Sequence, residues 1–152
     1  MMGIILKISQ KCGIYEMNNK SNLIVIQMEI TGIIISGMGK GTYFMSQDFY
    51  IRQFQDKIRL TPFGGTLNIK IDSNAIKNIM NIPENKFGII QGEGKFGDVK
   101  YIKAILNDEV NGALVFPAKT EHTEDVLEFI SDKNLRKYFK LEDGDEIHLK
   151  IG

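Results

Sequence analysis

At 152 residues, 43% hydrophobic and 25% charged, the chain has room for one domain with a real core and the balance of an ordinary soluble globular protein. Lysine plus arginine number 19 and aspartate plus glutamate 19, so the formal charge is zero, which argues against a protein that lives on nucleic-acid phosphates. Cys12 is the single cysteine, which excludes an internal disulfide and suits a reducing, cytoplasmic setting.

In chain order, residues 4–8 and 23–28 each have the composition of a strand, separated by the polar stretch 16–22. The apolar start is too short for the roughly 20-residue membrane span and lacks a signal peptide's basic flank, so no membrane partner is expected. Residues 1–28 read as an N-terminal extension ahead of a domain over 29–152. Residues 30–36 are β-branched and apolar and predict a buried strand, followed by a glycine-rich loop at 37–41 and a short strand at 42–45. Ser46 is placed to cap a helix in which Ile51, Phe54 and Ile58 recur at helical spacing.

Thr61-Pro62-Phe63-Gly64-Gly65 then turns the chain into residues 66–71, an alternating and half-exposed strand. A short helix over 74–82 ends before Pro83, and strands at 87–91 and 99–106 flank the glycine-rich turn at 92–97. Asn111-Gly112 predicts a tight hairpin turn into a strand at 113–116. Thr123 followed by Glu124 and Asp125 predicts a helix start, with Val126, Leu127 and Ile130 as its buried stripe. Ser131 or Asp132 opens a further helix carrying Leu135, Tyr138 and Phe139, and Asp143-Gly144 turns into a last alternating strand over 146–151. About six core strands with two or three short helices are too few helices for a doubly wound sheet. The pattern predicts a mainly β fold, a small closed barrel.

Three segments offer chemistry. The run Gly37-Met38-Gly39-Lys40-Gly41-Thr42 is neither a Walker loop nor a dinucleotide fingerprint, because Lys40 is followed by glycine and position 42 is threonine. It is equally a tight turn or a backbone cradle whose N–H groups approach a polyphosphate. On a strand, Thr66 and Asn68 point the same way and offer two hard neutral oxygens of the kind Mg²⁺ takes, although such a pair is commonly a solvated face. In the third segment Glu128 lies off the apolar stripe and reads as an exposed helix carboxylate, and residues 133–136 as a basic turn. His122 and His148 lack a second ligand at metal spacing and read as structural or solvated.

Taken in order, these segments resemble the archaeal-type CTP-dependent riboflavin kinases. The matching strings are Ser36-Gly37-Met38-Gly39-Lys40-Gly41, Tyr43-Phe44-Met45-Ser46, Thr61-Pro62-Phe63-Gly64-Gly65-Thr66-Leu67-Asn68 and Phe96-Gly97. Pro117-Ala118-Lys119-Thr120 with His122, Leu135-Arg136 and Asp143-Gly144-Asp145 complete the set. The resemblance covers roughly residues 29–151. It implies a six-stranded cradle-loop barrel related to the RIFT barrels, and transfer of the CTP γ-phosphate to riboflavin, giving FMN and CDP. It further implies that Gly37, Met38, Gly39, Lys40, Gly41 and Thr42, with Lys133, Asn134, Leu135 and Arg136, hold the nucleotide. Thr66 and Asn68 are then ligands of Mg²⁺, and Thr120 and Glu128 contact riboflavin or FMN, Glu128 also being the one candidate to draw a proton from the acceptor. Two departures stand out, Lys40 where an acidic residue is frequent and Gly64 where the family often has proline or another residue. Some relatives carry an N-terminal winged helix, for which 28 residues are too few, so nucleic acid is not an expected partner. The rival expectations are an AbrB-like binding barrel, suggested by residues 141–147, and a kinase of the same fold with another acceptor or nucleotide.

Overall fold

Six strands of the chain alternate buried apolar residues with outward ones, and only closing the strands on one another buries the first set. The computed structural model describes residues 4–7, 13–18, 24–37, 47–63, 66–117 and 125–152. Among the described residues the strands are β1 (Ile4–Lys7), β2 (Gly13–Asn18), β3 (Ile24–Ile35), β4 (Leu67–Lys70) and β5 (Gly88–Ile90), then β6 (Val99–Leu106), β7 (Val110–Pro117), β8 (Val126–Ile130) and β9 (Glu146–Ile151). The helices are α1 (Asp48–Ile58), α2 (Ser73–Met80) and α3 (Leu135–Tyr138). None of them is long and apolar enough to cross a membrane.

The pairing β3-β4-β8-β7-β6-β9 returns to β3, antiparallel at every step, and so closes a six-stranded barrel. The fold is mainly β with short helices, as the strand and helix count predicts. β2 pairs with the first half of β3 and β1 with β2, while β5 adds to the edge of β6. β3 is continuous from Ile24, and its buried Met28 pairs with Ile151.

Two apolar layers result. Ile30, Ile34, Leu67, Ile69, Leu114 and Phe129 are among the residues that fill the barrel interior. A second layer lies outside the wall, where Tyr50 and Phe54 of α1 pack on the outward residues Val99, Ala113, Val115 and Ile130. Burying a side chain such as Phe54 contributes about 1.5–3 kcal/mol. The Tyr50 hydroxyl donates to the Gly97 carbonyl at 2.7 Å, and burial, then the nearby Asp98 charge, push its pKa up to about 12. The face that α1 buries is thus Tyr50 and Phe54, with Ile51 and Ile58 only partly covered.

Several expectations change. Residues 126–130 form strand β8 and not a helix, because pairing with β4 on one side and β7 on the other outweighs the local acidic start signal. The β6–β7 turn sits at Asn107 and Asp108, both left-handed at φ 51° and 58°, with Glu109 N–H donating to the Leu106 carbonyl at 3.0 Å. Asn111 and Gly112 lie inside β7. A turn at 111–112 would extend the inward series Ile102, Ala104, Leu106 to Asp108 and bury a charge. The stretch 16–22 overlaps β2, and Asn68 is buried, so the 66–71 strand is not half-exposed at that position. Gln47 occupies the cap position of α1, and Asn134, rather than Ser131 or Asp132, caps α3. Ser46, Thr123 and the expected strand at 42–45 lie outside the described residues.

A Cβ at Gly112 would stand 2.1 Å from the Ile130 carbonyl oxygen and 2.5 Å from the Phe129 ring. Gly112→Ala should therefore lower unfolding stability by about 1–3 kcal/mol, read from urea denaturation midpoints; an unchanged midpoint would contradict this packing.

Candidate active site

Directly opposed residues of an antiparallel pair share one face of a sheet. The register sets Ile35 opposite Asn68, Asn68 opposite Glu128, and Glu128 opposite Val115. Leu67, Ile69, Leu127 and Phe129 point into the barrel, so Asn68 and Glu128 stand side by side on its outer wall. Both are nonetheless buried, at 7% and 8% exposure. The Thr66 hydroxyl donates to Glu128 Oε1 at 3.2 Å, which ties the residue preceding β4 to the carboxylate.

Asn68 Oδ1 has no hydrogen-bond partner among the described residues. A buried amide oxygen without a donor is costly, so such an atom points to a ligand or an ion. Beside it, a Cβ on Gly37 would come within 2.0 Å of Asn68 Nδ2, so any side chain at position 37 would have to displace the amide. Asn68 Oδ1 and Thr66 Oγ1 are hard oxygens suited to Mg²⁺, which favours such ligands together with substrate phosphates.

Arg136 extends from α3 to the end of β3, donating from Nη2 to the Ile35 carbonyl at 3.3 Å and to Asp143 Oδ1 at 2.7 Å. Ser36 donates to the other oxygen of Asp143. The Ser36 hydroxyl, then Arg136, hold the Asp143 carboxyl below the usual aspartate range. Leu135 anchors α3 in the barrel core, and the Asn134 side chain accepts from Lys137 N–H at 3.3 Å. Lys133 Nζ lies 4.0 Å from the Asp132 carboxylate and 5.3 Å from the Tyr138 ring centre.

The structure thus brings Gly37, Thr66, Asn68 and Glu128 together, with Arg136 at the same end of β3. Glu128 is a buried strand carboxylate and not an exposed helix one. Met38, Gly39, Lys40, Gly41, Thr42, Thr120 and His122 lie outside the described residues. His148 faces Glu29, with Nε2 and Oε1 3.1 Å apart. Sequence reasoning assigned no role to Ser36 or Asp143, although both stand in the quoted strings. A groove of about 1250 Å³ lined by Lys57, Lys86, Tyr101, Lys103, Lys133 and Lys150, among others, includes none of Gly37, Thr66, Asn68, Glu128 and Arg136. Among the described residues, none of the buried polar side chains, Asn68, Glu128 and Ser131, lines it.

Fold and side chains together define a small closed-barrel domain with an oxygen-rich site on its outer wall. The family described as CTP-dep_RFKase, domain of unknown function DUF120, matches residues 34–151. The chain is 46% identical over 124 residues to a riboflavin kinase of Methanobrevibacter smithii, covering 82% of this chain and 100% of that one. It is 47% identical over 116 residues to a riboflavin kinase of Methanothermobacter thermautotrophicus, covering 76% and 93%. A riboflavin kinase of Thermoplasma volcanium is 40% identical over 138 residues, 87% of this chain but 59% of that longer protein. The chain belongs to the archaeal-type riboflavin kinase family.

Gly37→Ala tests the approach of backbone to amide. The atom in the way is the far end of the Asn68 side chain, so the fold should survive and the amide should move. The expected result is a normal circular-dichroism spectrum with FMN formation reduced on the order of tenfold or more. Full turnover in this variant would show that the Asn68 amide tolerates displacement.

Proposed function

We propose that the chain transfers the γ-phosphate of CTP to the 5′-hydroxyl of riboflavin, yielding FMN and CDP with release of a proton. The observation that carries this reading is the buried pair of Asn68 and Glu128, joined by the half-buried Thr66 and lying beside Gly37 at the start of the glycine run. Membership of the riboflavin kinase family supports the acceptor, and the name of the family supports CTP.

Phosphoryl transfer passes through a loose transition state, and catalysis is mostly alignment and charge neutralisation. In this reading the backbone of the glycine run, Gly37 to Thr42, and the segment Lys133 to Arg136 hold the nucleotide. Asn68 Oδ1 and Thr66 Oγ1 hold Mg²⁺, which when bound neutralises charge on the phosphates. That Asn68 Oδ1 has no hydrogen-bond partner among the described residues favours this assignment. Glu128, fixed by the Thr66 hydroxyl, and Thr120 orient riboflavin. Glu128 is also a candidate to draw the acceptor proton, although so loose a transition state needs no strong base and none is assigned.

Incubating the protein with riboflavin, MgCl₂ and each of the four nucleoside triphosphates, with FMN separated by chromatography, tests the reaction; FMN should form with CTP. Product with ATP alone would remove the nucleotide assignment, and no product with any of them would remove the activity. Asn68→Ala should reduce turnover on the order of a hundredfold, with addition of excess MgCl₂ restoring little of it. Glu128→Gln should weaken riboflavin binding while leaving CTP binding intact; the reverse pattern would place Glu128 on the nucleotide side.

A further inference from the structure

The turn between α3 and β9 is fastened to the end of β3 in two ways. Through the backbone, Gly144 N–H donates to the Ile34 carbonyl at 2.8 Å and Ile34 N–H donates to the Asp145 carbonyl at 2.9 Å. Through a side chain, Asp143 accepts from the Ser36 hydroxyl and from Arg136 Nη2 at 2.7 Å. The same nitrogen of Arg136 reaches the Ile35 carbonyl at 3.3 Å. Three segments therefore meet at one carboxylate, namely the residues just before the glycine run, α3, and the turn itself.

We propose that Asp143 is a positioning residue for nucleotide binding, holding Arg136 in one place against Ile35 and Ser36 at the end of β3. The inference rests on the kinase reading above. The backbone bonds already secure the turn, so the side chain is not needed to make the fold. The ion pair is about half exposed, 41% for Arg136 and 52% for Asp143, and pairs of that kind contribute little to stability. What the pair does fix is direction. A guanidinium is a planar fork of five N–H donors, and engaging one nitrogen with both Asp143 and Ile35 sets where the remaining donors point. An aspartate carboxyl is ionised across the neutral region in any case, and the Ser36 hydroxyl, then Arg136, lower its pKa further.

The test compares Asp143→Ala, Asp143→Asn, Arg136→Ala and the Asp143→Ala/Arg136→Ala double variant by calorimetric titration with CTP in MgCl₂, without riboflavin. Riboflavin titration, thermal melting and FMN formation are run alongside. Asp143→Ala should weaken CTP binding about tenfold, with riboflavin affinity within about twofold and melting within about 3 °C of wild type. Asp143→Asn, which keeps an acceptor for Ser36, should fall between the two. In the Arg136→Ala background, removing Asp143 should add less than about twofold, because both changes break the same contact. CTP affinity unchanged in Asp143→Ala, additive losses in the double variant, or equal losses of both ligands with a lower melting point would each overturn the proposal. A wild type that forms no FMN with any nucleoside triphosphate overturns the kinase reading and this inference with it. An active wild type beside an unaffected Asp143→Ala overturns this inference alone.

Discussion

Everything at this site depends on the antiparallel register between β4 and β8, because that pairing puts an amide next to a carboxylate on the outer wall. Strand side chains alternate between faces, so a slip of one residue would turn Asn68 into the barrel and Leu67 out of it. The closed ring guards against such a slip. β4 is held by β3 and β8, and β8 by β4 and β7, so neither strand can move without breaking two ladders. Thr66 adds a side-chain tie across the same pair.

The second apolar layer gives this wall a firm backing. Val115, opposite Glu128, and Ile130, two residues further along β8, both lie under Tyr50 and Phe54 of α1. A carboxylate at the margin of a packed aromatic layer is shielded from water on one side, which strengthens its interactions with whatever binds on the other. The same helix is tied to the β5–β6 connection through Tyr50 and the Gly97 carbonyl, and the Phe49 and Phe96 rings sit 5.6 Å apart across that junction. Secondary structure, outer packing and the placement of Glu128 are thus one arrangement.

Much of this was legible in the sequence. Alternation located β9, the glycine-rich turn at 92–97 set off β6, and the strand and helix count predicted a closed mainly β barrel. The pairing of Thr66 and Asn68 on one face also followed from alternation. Glu128 was harder. Val-Leu-Glu-Phe-Ile is five residues long and follows an acidic stretch that mimics a helix start, and only neighbours distant in sequence decide that it is a strand. Reading it as a helix made Glu128 look exposed, when the strand buries it. The β6–β7 turn misled for a related reason. Asn107-Asp108 and Asn111-Gly112 both accept left-handed backbone, and the choice is made by which register keeps Asp108 out of the interior and lets Gly112 pass the Phe129 ring. The burial of Asn68 depends on Gly37, far away in the chain, and no local pattern reports such a contact.

The location of the proposed site on the outside of the barrel has a consequence for how the protein can change. The lumen is filled with aliphatic and aromatic side chains and is chemically idle. Repacking it for heat resistance is therefore insulated from the reaction by the thickness of one sheet. The outward positions Asn68 on β4 and Glu128 on β8 have no such sheet between them and the proposed site.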